Sequence, residues 1–168
     1  MKKICSFCIT IILSFSVAAE ELVAIDWQAS KSSIKLNTNA VLTEDSKNRL
    51  TFEQQLFELP FHLEYVFTEQ GQLKNVLYYH SVKPEDINCA EKYEQLKNKL
   101  MKQLGKTDTQ ISSANEKILT EPEKLCAFTA NGEYSMNSIW TKEKQVISFM
   151  LSTWKGTPYI GLMFHPVN

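Results

Sequence analysis

The sequence predicts an α+β domain in which an antiparallel sheet of about five to six strands packs against one long and one short helix. Three observations carry that expectation. Phe61, Leu63, Tyr65 and Phe67 fall at period two with His62, Glu64 and Thr68 opposite, and after Glu69-Gln70-Gly71 a second β-rich run returns to His80. Cys89, Tyr93, Leu96, Leu100 and Leu104 recur at the three- and four-residue spacing of an amphipathic helix. Three short runs near the C-terminus, 138–141, 146–153 and 159–164, read as strands separated by Lys142-Glu143-Lys144 and Lys155-Gly156-Thr157-Pro158.

Taken from the N-terminus, the first element is not part of the fold. Lys2 and Lys3 precede an apolar run over 4–17, and Val17-Ala18-Ala19 supplies small residues before Glu20 and Glu21. That order is a secretory signal peptide over 1–19, cleaved after Ala19. The run of about 14 residues is shorter than the roughly 20 that span a bilayer. Cys5 and Cys8 lie too early to serve as lipid-attachment cysteines at the cleavage point. A single domain over 20–168 remains.

Within that domain, residues 20–27 are a lead-in and Ser30 is placed to cap a brief helix. Residues 37–48 are polar and read as loop. Leu50, Phe52 and Leu56 mark a strand over 49–59 that Pro60 punctuates. In the hairpin that follows, a three-residue loop with a bulge at Gly71 sets Thr68 against Gln72. This register places Phe61, Leu63, Tyr65, Phe67, Leu73, Leu77 and Tyr79 on one side. The long helix starts with an Asn88/Glu91 capping-box pattern and stops at Gly105. Residues 106–136 are polar apart from Ile118-Leu119 and the 125–128 run. In the C-terminal strands Ile147, Phe149 and Leu151 face the core, while Val146, Met150 and Trp154 make the other side unusually apolar.

Cysteine and charge content narrow the function classes. Cys89 and Cys126 are the two cysteines left after export, so a disulfide is expected. It would close a loop of about 38 residues and stabilise the fold by roughly 4 kcal/mol on the chain-entropy estimate. Loss of the leader removes two of the 18 basic residues and none of the 19 acidic ones, leaving a net charge of −3. A mildly acidic chain is unsuited to neutralising phosphates, so nucleic acid is not expected as a partner. No later stretch is apolar enough to span a membrane.

Chemistry-bearing patterns are sparse. His62 and His80 would share a face in the expected register, with Glu64 beside them, but His165 is remote and a zinc site needs three or four ligands. No nucleophile elbow, Asp-rich calcium loop or phosphate-cradling glycine loop occurs. No catalytic residue, metal or cofactor is therefore assigned. Tyr78, Trp140, Trp154 and Tyr159 are the candidate partner-binding residues, because aromatic side chains bury large areas at interface centres.

The two halves suggest the same order, a helix and then three antiparallel strands, and so allow two tandem helix–three-strand units. That order, the aromatic hairpin and the helix ending in Leu104-Gly105 resemble small exported proteins of the β-lactamase inhibitor type and the helix–strand module of outer-membrane assembly lipoproteins. The resemblance implies a non-enzymatic domain that binds other proteins. The expectation is thus a non-catalytic protein-binding module of the bacterial envelope, periplasmic or secreted. It would act as an inhibitor, an immunity protein or an assembly accessory on another envelope or secreted protein. The short Met-Lys-Lys start and the absence of an Asn-x-Ser/Thr acceptor after residue 19 favour a bacterial source. The alternatives are a small periplasmic hydrolase or metal-dependent enzyme and a carrier of an apolar ligand.

Overall fold

The computed structural model of the protein describes residue 22, residues 25–113, residue 118 and residues 120–167. The signal-peptide assignment, 1–19, lies outside the described residues. Elements follow in the order α1 (Lys31–Asn37), β1 (Val41–Ser46), β2 (Arg49–Leu56), β3 (Leu59–Phe67), β4 (Leu73–Ser81), α2 (Cys89–Leu104) and β5 (Thr109–Ser113). A 3-10 turn (Pro122–Lys124), α3 (Leu125–Ala130), β6 (Ser135–Lys142), β7 (Gln145–Trp154) and β8 (Thr157–Pro166) complete the chain.

The eight strands among the described residues form one antiparallel sheet in the order β1-β2-β3-β4-β8-β7-β6-β5. Two four-stranded meanders therefore meet along their last strands, β4 against β8. This corrects the expectation of five or six strands packed on helices: the sheet dominates and the helices are short covers. The undercount has one physical source. The edge strands β1 and β5 are polar in sequence, as edges must be to avoid adding further strands, and so read as loop. The strand expected over 49–59 ends at Leu56, and the break expected at Pro60 is instead a two-residue turn at Phe57 and Glu58, whose φ angles are 53° and 69°. Such turns ordinarily use Asn or Gly, so this one carries no sequence signal. Lys99 on α2 holds it from above, its Nζ 3.6 Å from the Glu58 carboxylate and 5.8 Å from the Phe57 ring centre.

One face of the sheet is the core. Leu50, Phe52, Leu63, Tyr78, Leu162, Phe149 and Trp140 lie there beneath Ile34 of α1, Tyr93, Leu96 and Leu100 of α2, and Cys126 of α3. Ser30 caps α1 as expected, its Oγ accepting from the Ser33 N–H at 3.1 Å. Lys31 and Lys35 of that helix both reach Asp45 on β1 at 2.7 Å and tie α1 to the sheet edge. The Tyr93 ring stacks on Phe149 with centroids 4.7 Å apart. Its hydroxyl donates to the Phe149 carbonyl and lies 2.9 Å from Ser138 Oγ, so a polar tip is satisfied inside the core. Gly105 ends α2 at φ 84°, and its carbonyl accepts from Trp140 Nε1 at 2.9 Å. The Asn88 side chain makes no capping bond; instead Asp86 Oδ1 accepts from the Asn88 N–H.

The register of the β3–β4 hairpin differs from expectation by one residue. Thr68 N–H donates to the Gln72 carbonyl at 2.8 Å, so the loop closes where anticipated. Beyond it Phe67 pairs with Leu73 but Val66 pairs with Asn75, leaving Lys74 as an extra, unpaired residue. This bulge reverses the parity of β4. Val76 and Tyr78 point into the core, and Leu77 and Tyr79 point to the other side.

Cys89, in the first turn of α2, is bonded to Cys126 of α3 with Cα atoms 5.9 Å apart, and both are buried. The bridge clamps the two helices that cover the second meander. Replacing both cysteines in Cys89→Ala/Cys126→Ala is expected to lower the unfolding free energy in urea by about 2–4 kcal/mol. An unchanged midpoint would show that packing alone positions α3.

Candidate functional site

The core face takes the buried residues of α1, α2 and α3, and among the described residues no helix lies on the opposite face. Its composition follows from strand parity. One row runs Glu44, Thr51, Glu64, Leu77, Met163, Ser148, Ile139, Thr109 across the eight strands. The adjacent row runs Val41, Glu53, His62, Tyr79, Gly161, Met150, Asn137, Ile111. From β4 through β8, β7 and β6 to β5, the paired residues of this face include no Asp, Glu, Lys or Arg. The charged groups, Glu44, Glu53, Glu64 and Arg49, are confined to β1–β3. A solvated sheet face ordinarily alternates charge with polarity; five strands of Ser, Thr, Asn, Ile, Leu, Met and Tyr do not.

Local packing shapes the centre of the face. The Tyr159 ring lies over Gly161, where an added Cβ would meet it at 2.9 Å, so glycine at this point lets the ring lie flat. Tyr159 OH is 3.5 Å from Met150 Sδ. On the neighbouring strands His62 stacks on Tyr79 at 4.9 Å. Trp154, at the end of β7, is 71% exposed with Lys155 Nζ 5.8 Å from its ring.

Polar groups on this face are imperfectly satisfied. Thr51 Oγ1, Asn75 Oδ1 and Asn137 Oδ1 are buried without a hydrogen-bond partner, and all three belong to residues of the uncovered side. Glu64 is only 12% exposed and meets Arg49 Nε at 3.3 Å. Burial pushes its carboxyl above the ordinary carboxylate range, Arg49 pulls it partly back, and Glu44 opposes that pull. Burial likewise raises the Tyr79 phenol, with Glu64 adding to the effect.

The candidate residues read from sequence divide in two. Tyr78 and Trp140 are 4% and 0% exposed and sit in the core, so they present nothing to a partner. Tyr159 and Trp154 are on the uncovered face. Leu77, Tyr79, Met163 and Ile139 join them there. Sequence reasoning missed Leu77 and Tyr79 because β4 is apolar at both parities, and only the Lys74 bulge decides which parity is buried. His62 and His80 are separated by the same shift. His62 faces outward, whereas His80 is on the core side with Nδ1 2.8 Å from the Pro60 carbonyl. Among the described residues no group of three His, Cys, Asp or Glu side chains is placed to hold a metal ion.

Thr51 gives a direct check on the unpaired polar atoms. Its hydroxyl is 94% buried with its residue and bonds to nothing, so Thr51→Val is expected to raise stability by about 1 kcal/mol in a urea melt. A loss of that size would mean the hydroxyl has a partner in the free protein. Comparison with protein-family models, curated proteins and solved structures finds no match to this chain.

Proposed function

We propose that this chain is an exported, non-catalytic protein of the bacterial envelope that binds another protein through the uncovered face of its sheet. The observation that carries the reading is the charge-free half of that face, from β4 to β5. Interface centres are depleted of Lys, Glu and Asp and enriched in Tyr, Trp and Met, with charge moved to the rim. Tyr79, Tyr159, Met150, Met163 and Trp154 supply the first pattern, and Glu44, Glu53 and Arg49 supply the second at one side. A row of eight strands about 4.8 Å apart gives a platform some 35 Å wide, comparable with a standard interface of about 800 Å² per partner.

Export is supported by the charge and apolar order of residues 1–19 and by the buried Cys89–Cys126 bond, which suits an oxidising compartment. No described helix is long and apolar enough to cross a membrane.

The reading is tested by placing a photo-crosslinking amino acid at Met150 or, as a control, at Gln95 on the exposed side of α2, and irradiating the producing cells. Crosslinks to a discrete protein are expected from Met150 and not from Gln95. Met163→Lys should diminish them at least tenfold while leaving the melting temperature within a few degrees. Crosslinks from Gln95 alone, or an intact mass that retains Met1, would overturn it.

A further inference from the structure

Antiparallel order brings the β1–β2 turn, the β3–β4 turn, the β6–β7 turn and the C-terminus of β8 to the same end of the sheet. Lys47, Lys74, Lys142, Lys144 and His165 lie there together with Asp45, Glu69, Asp108 and Glu143, so this end is mixed in charge as a whole and its basic groups stand apart from acids only locally. Within this end lies an open groove of about 580 Å³ between the segment before α1 and the strands β4 and β8. Its walls are formed by Trp27, Gln72, Leu73, Lys74 and His165 among others, and among the described residues no Asp or Glu lines it.

Three features make the groove more than a surface dent. Lys74 is the bulged residue of β4, and bulges re-aim side chains at the rims of sheets. Val76 of β4 pairs with Phe164 of β8, so Lys74 and His165 come from adjoining strands just beyond that pair. Burial and the Lys74 charge together hold the His165 imidazole below its ordinary pKa. Lys74 and His165 therefore face each other with no carboxylate among the described lining residues, and the Lys74 charge favours the neutral imidazole. Trp27 adds a buried indole N–H that has no acceptor.

We propose that this groove is a binding site for a carboxylate or phosphate group, with Lys74 as the charged donor and the His165 imidazole as a donor that takes up a proton when the anion binds. An anion there offsets the Lys74 charge and favours the protonated form of His165, whose two ring N–H groups can then donate. The apolar edges of Trp27 and Leu73 suit a ligand whose anionic end is attached to an apolar body. His165 lies at the rim of the uncovered face, where it pairs with Val146, but the anion titration and the Met150 crosslink read different contacts, so either reading can fail without the other.

The test uses the oxidised chain after residue 19, isotope-labelled, titrated with inorganic phosphate and separately with acetyl-dialanine as a peptide carboxylate. Saturable shifts are expected for the Trp27 indole N–H and the His165 ring, with the His165 pKa rising as either probe binds. Lys74→Gln should weaken binding about tenfold, while Lys155→Gln, at the opposite end, should leave it unchanged. Binding of phosphate alone assigns the site to free phosphate-like anions, and binding of the peptide as well assigns it to terminal carboxylates. Both outcomes support the site. No saturable shift with either probe, or shifts that persist unaltered in Lys74→Gln, would overturn it.

Discussion

One extra residue in β4 determines what this protein can present to its surroundings. Side chains alternate across a strand, so the Lys74 bulge sends Tyr78 to the core and Tyr79 outward. With Lys74 in regular pairing, the next seven positions would exchange faces. Tyr78 would leave its place against Leu63 and Leu162, and Leu77 would be driven under the helices. Because β4 pairs with β8, the same residue sets the seam at which the two meanders join.

The rest of the architecture follows from covering only one face. A twisted sheet needs helices or a second sheet over its apolar side, and the helices supply this cover unevenly. Over the first meander α1 offers a single buried residue, Ile34, and is tied down by Lys31 and Lys35 on Asp45. Over the second, α2 and α3 are joined by the Cys89–Cys126 bond and pinned by Tyr93 on Phe149 and by Trp140 on the Gly105 carbonyl. The charge-free half of the open face is the reverse of this better-buttressed half. A rigid platform lowers the ordering cost of association, which fits the proposed binding role.

Much of this was legible in the residues, and the gaps have physical reasons. The disulfide, the α2 stripe with its Gly105 stop, the Ser30 cap and the two C-terminal hairpins announce themselves by periodicity, capping chemistry and cysteine count. β1 and β5 did not, because an exposed edge is selected to look unlike a buried strand. The Phe57-Glu58 turn was hidden because its positive φ values are stabilised from α2 rather than by glycine or asparagine. The candidate surface was half readable: Trp154 and Tyr159 follow from alternation after a tight turn, whereas the choice between Tyr78 and Tyr79 depends on a bulge within a run that is apolar on both sides. Trp140 illustrates the complementary failure, since its indole N–H finds the end of α2, a partner set by tertiary contact alone.

Register is the claim on which the surface assignment stands, and two adjacent tyrosines report it. Hydroxyl-radical footprinting of the folded, oxidised protein, read residue by residue in mass spectra, compares their reactivity under one set of conditions. The account requires Tyr79, Met150 and Trp154 to be modified readily while Tyr78, Tyr93 and Trp140 stay protected until unfolding. A protected Tyr79 beside a reactive Tyr78 would place the bulge elsewhere and contradict the open face described for this sheet.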